Sequence, residues 1–360
     1  MNLTGRITMG KQSSFKRILT PLAAGAFATL MTTTAVLADN VRYADWDNES
    51  CIRCQELLKE YFPDVSEKTN GKIEIQPYFN AVLGGGGDMI RLVRDGVADF
   101  GGVWSGYFPN EFAAQSVFAT IPQGPAQCTN QLYFFKEVYN NVPAVKAELE
   151  SSNHEVIMIT PLLHLGFASK TPLTELSQIE GQKWRAGNKW LLGLLEAQNA
   201  SPVSLAWGDV YVSLQTGVID GVLANYDGID NMKFYEQAKH ILVSESTWMP
   251  VPFTYTVRKD FWDGLSDEVK RGWLEASEEF EQHMCSVLDA DRERIISSQE
   301  EQGVTVTTMS DEDLATWADP EIAVSLQAQW VEEAKAAGLE NAEEVLAQVL
   351  EIHAEAMARE

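Results

Sequence analysis

One segment of this 360-residue chain constrains the fold most, because between residues 183 and 236 short strands and helices alternate. Residues 183–185 predict a first short strand, and an amphipathic helix follows it. A second strand is predicted at 202–206 and, after another helix, an apolar strand at 218–223. This order is typical of α/β folds. Arg185 stands where the first strand gives way to a loop, the usual place for a side chain that contacts a ligand.

The N-terminal part of the chain shows the same alternation. The predicted elements are a strand at 40–46, a helix at 51–69, a strand at 72–78, a helix at 89–95 and a strand that begins at residue 97. Strands and helices in this order, joined by short turns, imply a doubly wound sheet. In such sheets the ligand lies at the carboxyl ends of the strands.

The remaining segments predict a second lobe and a helical C-terminus. A helix at 129–140 and a strand at 156–163 precede the second lobe, and a long strand at 249–257 crosses back to the first. Then follow a helix at 267–299, a short strand at 304–307 and two helices that end at residue 360. The predicted domains are lobe I at 39–162 plus 251–290, and lobe II with the C-terminal helices at 163–250 plus 291–360.

The first 38 residues have the pattern of a secretory signal peptide. They carry four basic residues and no acidic one, and an apolar run at 19–37 ends in Val36-Leu37-Ala38. A positive start, an apolar stretch and small or apolar residues before the cleavage point predict removal after Ala38. A membrane anchor is the alternative, because the run approaches the length that spans a bilayer. We expect an exported protein.

Charge excludes one class of partner. The formal net charge is −25, and removal of the four basic residues of the signal leaves −29. Nucleic-acid binding is excluded, because backbone phosphates would be repelled. The charge also opposes an anionic ligand, but salt screens it over about 10 Å, so one buried arginine can decide the local sign.

The four cysteines and the five histidines offer only weak signs of an enzyme. Cys51 and Cys54 form a C-x-x-C motif, the basis of a thiol oxidoreductase alternative, since a helix start lowers the pKa of a thiol. With Cys128 and Cys285 they can also form structural disulfides, with three possible pairings. The histidines lack the spacing of metal ligands, and no nucleophile or phosphate-loop motif is complete. We predict no enzyme, no metal site and no cofactor.

Six short motifs resemble those of the solute-binding subunits of TRAP transporters, the DctP-like family. Their order and spacing over roughly 200 residues make the set specific, although each is weak alone. The motifs are Asn70-Gly71-Lys72-Ile73-Glu74-Ile75, Val82-Leu83-Gly84, Gly96-Val97-Ala98-Asp99-Phe100, Leu214-Gln215-Thr216-Gly217-Val218-Ile219-Asp220-Gly221, Lys233-Phe234-Tyr235-Glu236 and Gly264-Leu265-Ser266.

The resemblance implies the two-lobed α/β fold of periplasmic binding proteins (type II-like), with an interlobe crossing strand and long C-terminal helices. It also implies a periplasmic location and delivery of an organic acid to membrane permease subunits. An ABC-type receptor, which would lack the long C-terminal helices, is a rival within the same class of proteins.

The resemblance also implies which residues bind the ligand. Arg185 takes the position of the carboxylate clamp, and arginine suits this role because its planar fork donates two parallel hydrogen bonds. Trp104 and Trp207 fall at ligand-contact positions of the family. Asn225 lies one residue after a third such position. The second arginine of sialic-acid-binding members is missing, with Leu165 near its position and His164 beside it, so sialic acid is not the expected ligand.

Aromatic residues at loops and strand ends suggest an apolar site with one cation. They are Trp46, Trp104, Tyr107, Trp190, Trp207 and Tyr226. Such a site favours a monocarboxylate with an apolar or aromatic body. A C4-dicarboxylate is the alternative within the family, and it would need a second cation that the sequence does not reveal.

Overall fold

The computed structural model describes residues 38–360, so the predicted signal segment lies outside the described residues except for Ala38. Residues 38–360 fold around two β-sheets, one of five strands and one of six, with helices packed against both. The predicted two-lobed α/β fold is confirmed, whereas the residue boundaries of the lobes stay a prediction. Within the described part of the chain, no helix is both long enough and apolar enough to cross a membrane.

The two sheets are mixed, because each contains one reversed strand. Their strand orders are β2-β1-β3-β10-β4 and β11-β9-β5-β8-β6-β7. Strand β10 runs antiparallel to β3 and β4, and β5 runs antiparallel to β8 and β9. The strands are β1 (Asp39–Ala44), β2 (Ile73–Tyr78), β3 (Phe100–Val103), β4 (His154–Thr160), β5 (Leu165–Ser169), β6 (Lys183–Arg185), β7 (Ser201–Val203), β8 (Gly221–Asn225), β9 (His240–Val243), β10 (Phe253–Arg258) and β11 (Thr305–Thr308).

The predicted crossing strand is β10. It returns from the second sheet and enters the first between β3 and β4, with Tyr255 opposite Gly102 on one side and Met158 on the other. It begins at Phe253 rather than at the predicted residue 249. Pro250 and Pro252 precede it, and proline has no N–H to donate to a sheet.

Strand β8 also begins later than predicted, at Gly221 instead of residue 218. Gly217 has a φ of 77° and ends the preceding helix in the left-handed conformation. The N–H of Val218 then donates to the Ser213 carbonyl, so Val218 belongs to the end of the helix. The shift brings Asn225 to the last position of the strand.

The longest helix, α10, connects the two lobes. It measures about 50 Å from its 35 residues and packs on β4 and α2 in the first lobe and on β11 and α8 in the second. The helices are α1 (Ile52–Glu56), α2 (Phe62–Lys68), α3 (Met89–Arg94), α4 (Cys128–Asn141), α5 (Pro143–Ser151), α6 (Lys189–Ala197), α7 (Val210–Thr216), α8 (Tyr226–Asn231), α9 (Lys259–Gly264), α10 (Asp267–Glu301), α11 (Asp311–Trp317), α12 (Pro320–Ala336) and α13 (Ala342–Met357).

Three helices follow β11, where the sequence predicted two. The break between α11 and α12 lies at Asp319-Pro320, and the residue before a proline is disfavoured in a helix. Asp319 instead caps α12, because its carboxylate accepts from the N–H of Glu321 at 2.8 Å. Helix α12 contacts α6, and α13 contacts α4.

All four cysteines form disulfides, which resolves the open pairing. Cys128, the first residue of α4, is bonded to Cys285 in the middle of α10. Cys51 is bonded to Cys54 across the first turn of α1. The first bond joins segments 157 residues apart, and the second joins residues three apart.

Candidate ligand-binding site

A cavity lies where the carboxyl ends of strands from both sheets meet. Trp46 and Trp104 reach it from the loops after β1 and β3, in the first sheet. Arg185 and Asn225 end β6 and β8, and Trp207 follows β7, in the second sheet. The cavity has a volume of about 70 Å³, several times what a water molecule needs. It therefore suits a small organic molecule rather than a polymer.

The structure brings six of the eight predicted site residues to this one cavity and leaves two outside it. His164 donates from Nε2 to the Ala126 carbonyl at 3.1 Å, and Tyr226 is buried with its hydroxyl 2.9 Å from the Gln299 side chain. Neither lines the cavity. The six that do are Arg185, Trp207, Trp104, Tyr107, Asn225 and Trp46.

Arg185 is buried at the cavity with no acidic partner among residues 38–360. Its side chain is 2% exposed, and its Nε and Nη2 both donate to the Leu205 carbonyl, at 3.3 and 3.2 Å. The guanidinium carbon lies 5.3 Å from the centre of the Trp207 ring. Burial lowers the pKa of Arg185, and the adjacent Tyr107 hydroxyl opposes that lowering in part. A buried cation without an anion is costly, so this position suits an anionic ligand.

The loop after β6 places a glycine next to Arg185 in the cavity wall. Gly187 lines the cavity, and a Cβ on it would stand 2.9 Å from the Trp104 ring, so only glycine allows this approach. Asn188 then starts α6, because its side-chain oxygen accepts from the N–H groups of Trp190 and Leu191. The cap fixes where the strand-end loop stops.

A second cavity-lining arginine, Arg53, was missed by the sequence analysis. Its guanidinium donates to Asp45 at 2.6 and 3.2 Å and to Asp47 at 2.7 Å. It also lies 3.8 Å from the centre of the Phe253 ring. Burial would lower its pKa, but Asp45 and its other acidic neighbours hold the pKa well above the usual value. Arg53 therefore stays charged, and its charge is already balanced by two carboxylates.

Within the described part of the chain, two carboxylates line the cavity, those of Asp47 and Asp227. Burial raises the pKa of Asp47, and Arg53 opposes the rise. Burial raises the pKa of Asp227 to about 6, although its Oδ1 accepts from the Asn225 side chain at 2.8 Å and from the Leu163 N–H at 3.2 Å. The cavity thus has a cationic side at Arg185 and an acidic side.

Aromatic rings form much of the remaining wall. The Trp104 and Tyr107 rings meet edge to face at 4.8 Å, and the Trp46 ring lies 5.0 Å from that of Phe253. The Trp104 indole N–H donates to the Val251 carbonyl at 3.2 Å, which anchors the ring across the chain crossing. These rings give the cavity apolar sides between its charged groups.

The Cys51–Cys54 disulfide is next to this cavity. Cys51, Ile52 and Arg53 all line it, and Cys54 is fully buried. Among residues 38–360, no group of three or more His, Cys, Asp or Glu side chains is placed to hold a metal ion.

Comparison with known proteins places the chain in a family. The family described as bacterial extracellular solute-binding protein, family 7 (DctP), matches residues 52–330. The chain belongs to this family. Among curated members, the ectoine-binding periplasmic protein TeaA of Halomonas elongata is 25% identical over 313 residues, covering 84% of this chain and 88% of TeaA. The ectoine/5-hydroxyectoine-binding periplasmic protein UehA of Ruegeria pomeroyi is 28% identical over 316 residues, covering 86% of this chain and 90% of UehA.

Solved structures have the same fold as this family 7 protein. A TRAP solute-binding protein from a marine metagenome, specific for aromatic acid ligands and in complex with 3-hydroxybenzoate, matches with a TM-score of 0.78. It is 19% identical, and the match covers 89% of this chain and 99% of that one. The predicted membership in the TRAP solute-binding proteins is confirmed. These family 7 relatives give the thiol oxidoreductase alternative no support.

Proposed function

We propose that this protein is an exported receptor that binds a small organic acid through Arg185 and delivers it to the membrane permease of a TRAP transporter. The expected location is the periplasm, where the curated relatives are named as residing. Hinge closure of the two lobes would enclose the ligand and create the surface that the permease binds. The protein acts by binding, without a chemical step.

The observation that carries this proposal is the unpaired charge of Arg185. Its remaining donors are free of carboxylate partners among residues 38–360, and Leu205 supplies only a neutral carbonyl. A carboxylate of the ligand would supply the missing charge and accept two parallel hydrogen bonds from the guanidinium. Burial strengthens this interaction, because less water competes for the same donors.

The proposed ligand is a monocarboxylate with an apolar or aromatic body. The walls formed by Trp46, Trp104 and Trp207 favour such a body. A C4-dicarboxylate needs a second free cation, and Arg53 does not supply one because Asp45 and Asp47 already balance its charge.

A second candidate ligand is an acid that also carries a cationic or proton-donating group. Asp47 and Asp227 favour it, because they place acceptors in the cavity that also contains Arg185. The ligand named for two of the relatives, ectoine, has this dipolar character, with a carboxylate and a delocalised cation.

A ligand screen on the mature protein tests the proposal. Thermal-shift measurements with phenylacetate, 3-hydroxybenzoate, succinate and ectoine identify binders, because a ligand that binds only the native state raises the melting temperature. Calorimetry on Arg185→Ala should then show an affinity loss of roughly 2–5 kcal/mol, the cost of removing one partner of a buried charge pair. Arg185→Lys should restore only part of it, because lysine lacks the planar fork.

The matched control is Arg94→Ala, which removes an exposed arginine paired with its neighbour Asp95. Its affinity should equal that of the wild type. Unchanged affinity in Arg185→Ala would reject the clamp. Tightest binding of succinate would reject the monocarboxylate, and tightest binding of ectoine would favour the dipolar candidate.

A further inference from the structure

The two cysteines of the Cys51–Cys54 disulfide flank a charged residue of the ligand cavity in the sequence. Arg53 lies within the four-residue segment that the bond closes, and Cys51 itself lines the cavity. The sulfur of Cys51 also accepts from the N–H of Cys54 at 3.0 Å, within the first turn of α1. The backbone from which Arg53 extends is therefore held covalently on both sides.

Because Arg53 is held in place, it also restricts the position of Asp47, to which it is hydrogen-bonded. Its Nη2 donates to the Asp47 carboxylate at 2.7 Å, and its Nη1 donates to Asp45 at 2.6 Å. Asp45 is buried at the end of β1, where its N–H donates to the Tyr78 carbonyl. Asp47 lies on the loop after β1 and lines the cavity. A continuous series of bonds and contacts thus leads from the disulfide to Arg53 and then to a carboxylate that lines the cavity.

Loop length argues against a role in global stability. The entropy that a crosslink removes from the unfolded chain grows with the length of the loop it closes. Cys51–Cys54 closes three residue steps, whereas Cys128–Cys285 closes 157. The short bond constrains little of the unfolded chain, so its effect is local, in the segment that contains Arg53.

We propose that the Cys51–Cys54 disulfide is a positioning element of the ligand site, which holds Arg53 and, through it, Asp47 at the cavity wall. The inference rests on the proposed function, since it assigns the bond a role in ligand affinity. Cutting the bond frees the helix start, loosens Arg53 and lowers affinity while the fold persists.

The double variant Cys51→Ser/Cys54→Ser tests this, with Cys128→Ser/Cys285→Ser as the matched control. The probes are phenylacetate and ectoine, one for each candidate ligand class. The first variant should bind the probe that the wild type prefers about 10-fold more weakly, the loss typical when residues that orient a binding group are removed. The control should bind within about twofold of wild type, although its melting temperature falls further because it loses the long-loop crosslink.

Two readouts separate positioning from a purely structural effect. In an Asp47→Asn background, removal of the Cys51–Cys54 bond should cost clearly less affinity, because the group it positions has been altered. Hydrogen exchange without any ligand should quicken in residues 47–54 of the variant and stay unchanged elsewhere. Equal affinity losses in both backgrounds, or unchanged exchange in that segment, would overturn the inference.

The failure of this inference is distinguishable from failure of the proposed function. If Arg185→Ala loses the probe while Cys51→Ser/Cys54→Ser binds it as the wild type does, only the positioning role is rejected. If the wild type binds none of phenylacetate, 3-hydroxybenzoate, succinate and ectoine, or if Arg185→Ala binds normally, the ligand site is rejected and this inference with it. In the wild type, a dithiol reductant should reproduce the loss. It gives two electrons and two protons to the Cys51–Cys54 bond, forming two thiols, and closes to its own disulfide.

Discussion

Two buried arginines line the same cavity in opposite electrostatic surroundings. Arg53 donates to two carboxylates, whereas Arg185 donates to the neutral Leu205 carbonyl and faces Trp207. Burial makes both charges expensive, and the protein itself balances only one of them. An arginine whose charge is already balanced by carboxylates of the protein has a structural role. One that lacks an anion is available to a ligand, so the difference in pairing indicates which side of the cavity binds a carboxylate.

The largest effect should come from breaking the paired arginine. Arg53→Ala leaves Asp45 and Asp47 without their cation, and we expect the free energy of unfolding to fall by roughly 3–5 kcal/mol. Arg185→Ala should change it far less, because no carboxylate loses a partner. Urea denaturation of both variants measures the difference. Equal destabilisation by the two substitutions would contradict the distinction between them.

Removal of the Trp207 ring, which lies next to Arg185, should have the next largest effect, a loss of ligand affinity. Trp207→Ala should weaken binding of an aromatic or branched acid by roughly 1–3 kcal/mol, through lost burial of apolar area. Acetate, which has too little apolar surface to cover the ring, should bind nearly as before. Trp207→Phe is the control, since it keeps a ring near Arg185. Calorimetry that shows the same loss for acetate would contradict this role.

Removal of one carboxylate partner should make Arg53 resemble Arg185, with part of its charge available to a ligand. Asp47→Asn removes one of its two carboxylates and leaves Asp45 in contact. Arg53 should then accept a second anion, and succinate affinity should rise by about 1–2 kcal/mol, within the range of a hydrogen bond to a charged group. Asp209→Asn is the control, because this exposed residue immediately before α7 does not line the cavity. Unchanged succinate binding would show that Arg53 is out of the ligand's reach.

The pH dependence should follow Asp227. Its pKa is raised to about 6, so below that pH it takes up a proton and the cavity loses one negative charge. A simple monocarboxylate should bind more tightly near pH 5 than near pH 8, by roughly 1 kcal/mol for partly screened charges. An acid with a cationic group should show the opposite trend. Because the folded pKa is raised, the stability that protonated Asp227 contributes is present at low pH and is lost as pH rises through about 6.

Asp227→Asn should remove that dependence, because the amide does not titrate. Calorimetric titrations of the wild type and the variant across this pH range give the measurement. A wild-type affinity that does not change with pH, with either ligand class, would show that Asp227 lies too far from the bound molecule to affect it.

The smallest effects should come from the two residues outside the cavity. Substitutions away from special features usually change a free energy by less than about 0.5 kcal/mol. His164→Ala and Tyr226→Phe should therefore leave ligand affinity within this range. Tyr226→Phe loses the hydrogen bond to Gln299, so its melting temperature should fall slightly. An affinity loss like that of Trp207→Ala would return either residue to the site.

Sequence reasoning was most successful where local signals determine structure. The position of Arg185 at a strand end follows from the apolar pattern around it, and the structure places it at the end of β6. Strands β3, β8 and β10 begin three or four residues later than predicted, and for β8 and β10 the cause is a signal of one residue. Pro252 delays β10, and the left-handed Gly217 extends the end of α7. Such signals are present in the sequence, but the apolar run around them indicates a strand more strongly, so the strand starts were placed too early.

The acidic side of the cavity could not be predicted in the same way. Arg53 lies inside the C-x-x-C motif, which directed attention to its cysteines. Its partners Asp45 and Asp47 come from the preceding strand end, and its ring contact is Phe253, 200 residues away in the sequence. Pairings at that separation depend on how the sheets assemble. A second cation was therefore present in a site predicted to have one, with its charge already balanced.

The central place of β10 has a consequence for how the chain folds. Strand β3 cannot complete its pairing with β10 until Val257 is available, although β3 itself ends at Val103. A chain that emerges from its N-terminus thus keeps the facing edges of β3 and β4 unpaired while β5 to β9, five of the six strands of the second sheet, are still arriving. Unpaired edges invite association with other chains, and distant pairings form slowly. We expect folding to be a late, whole-chain event. The Cys128–Cys285 bond then joins a helix that precedes strands β5 to β9 to a helix that follows them.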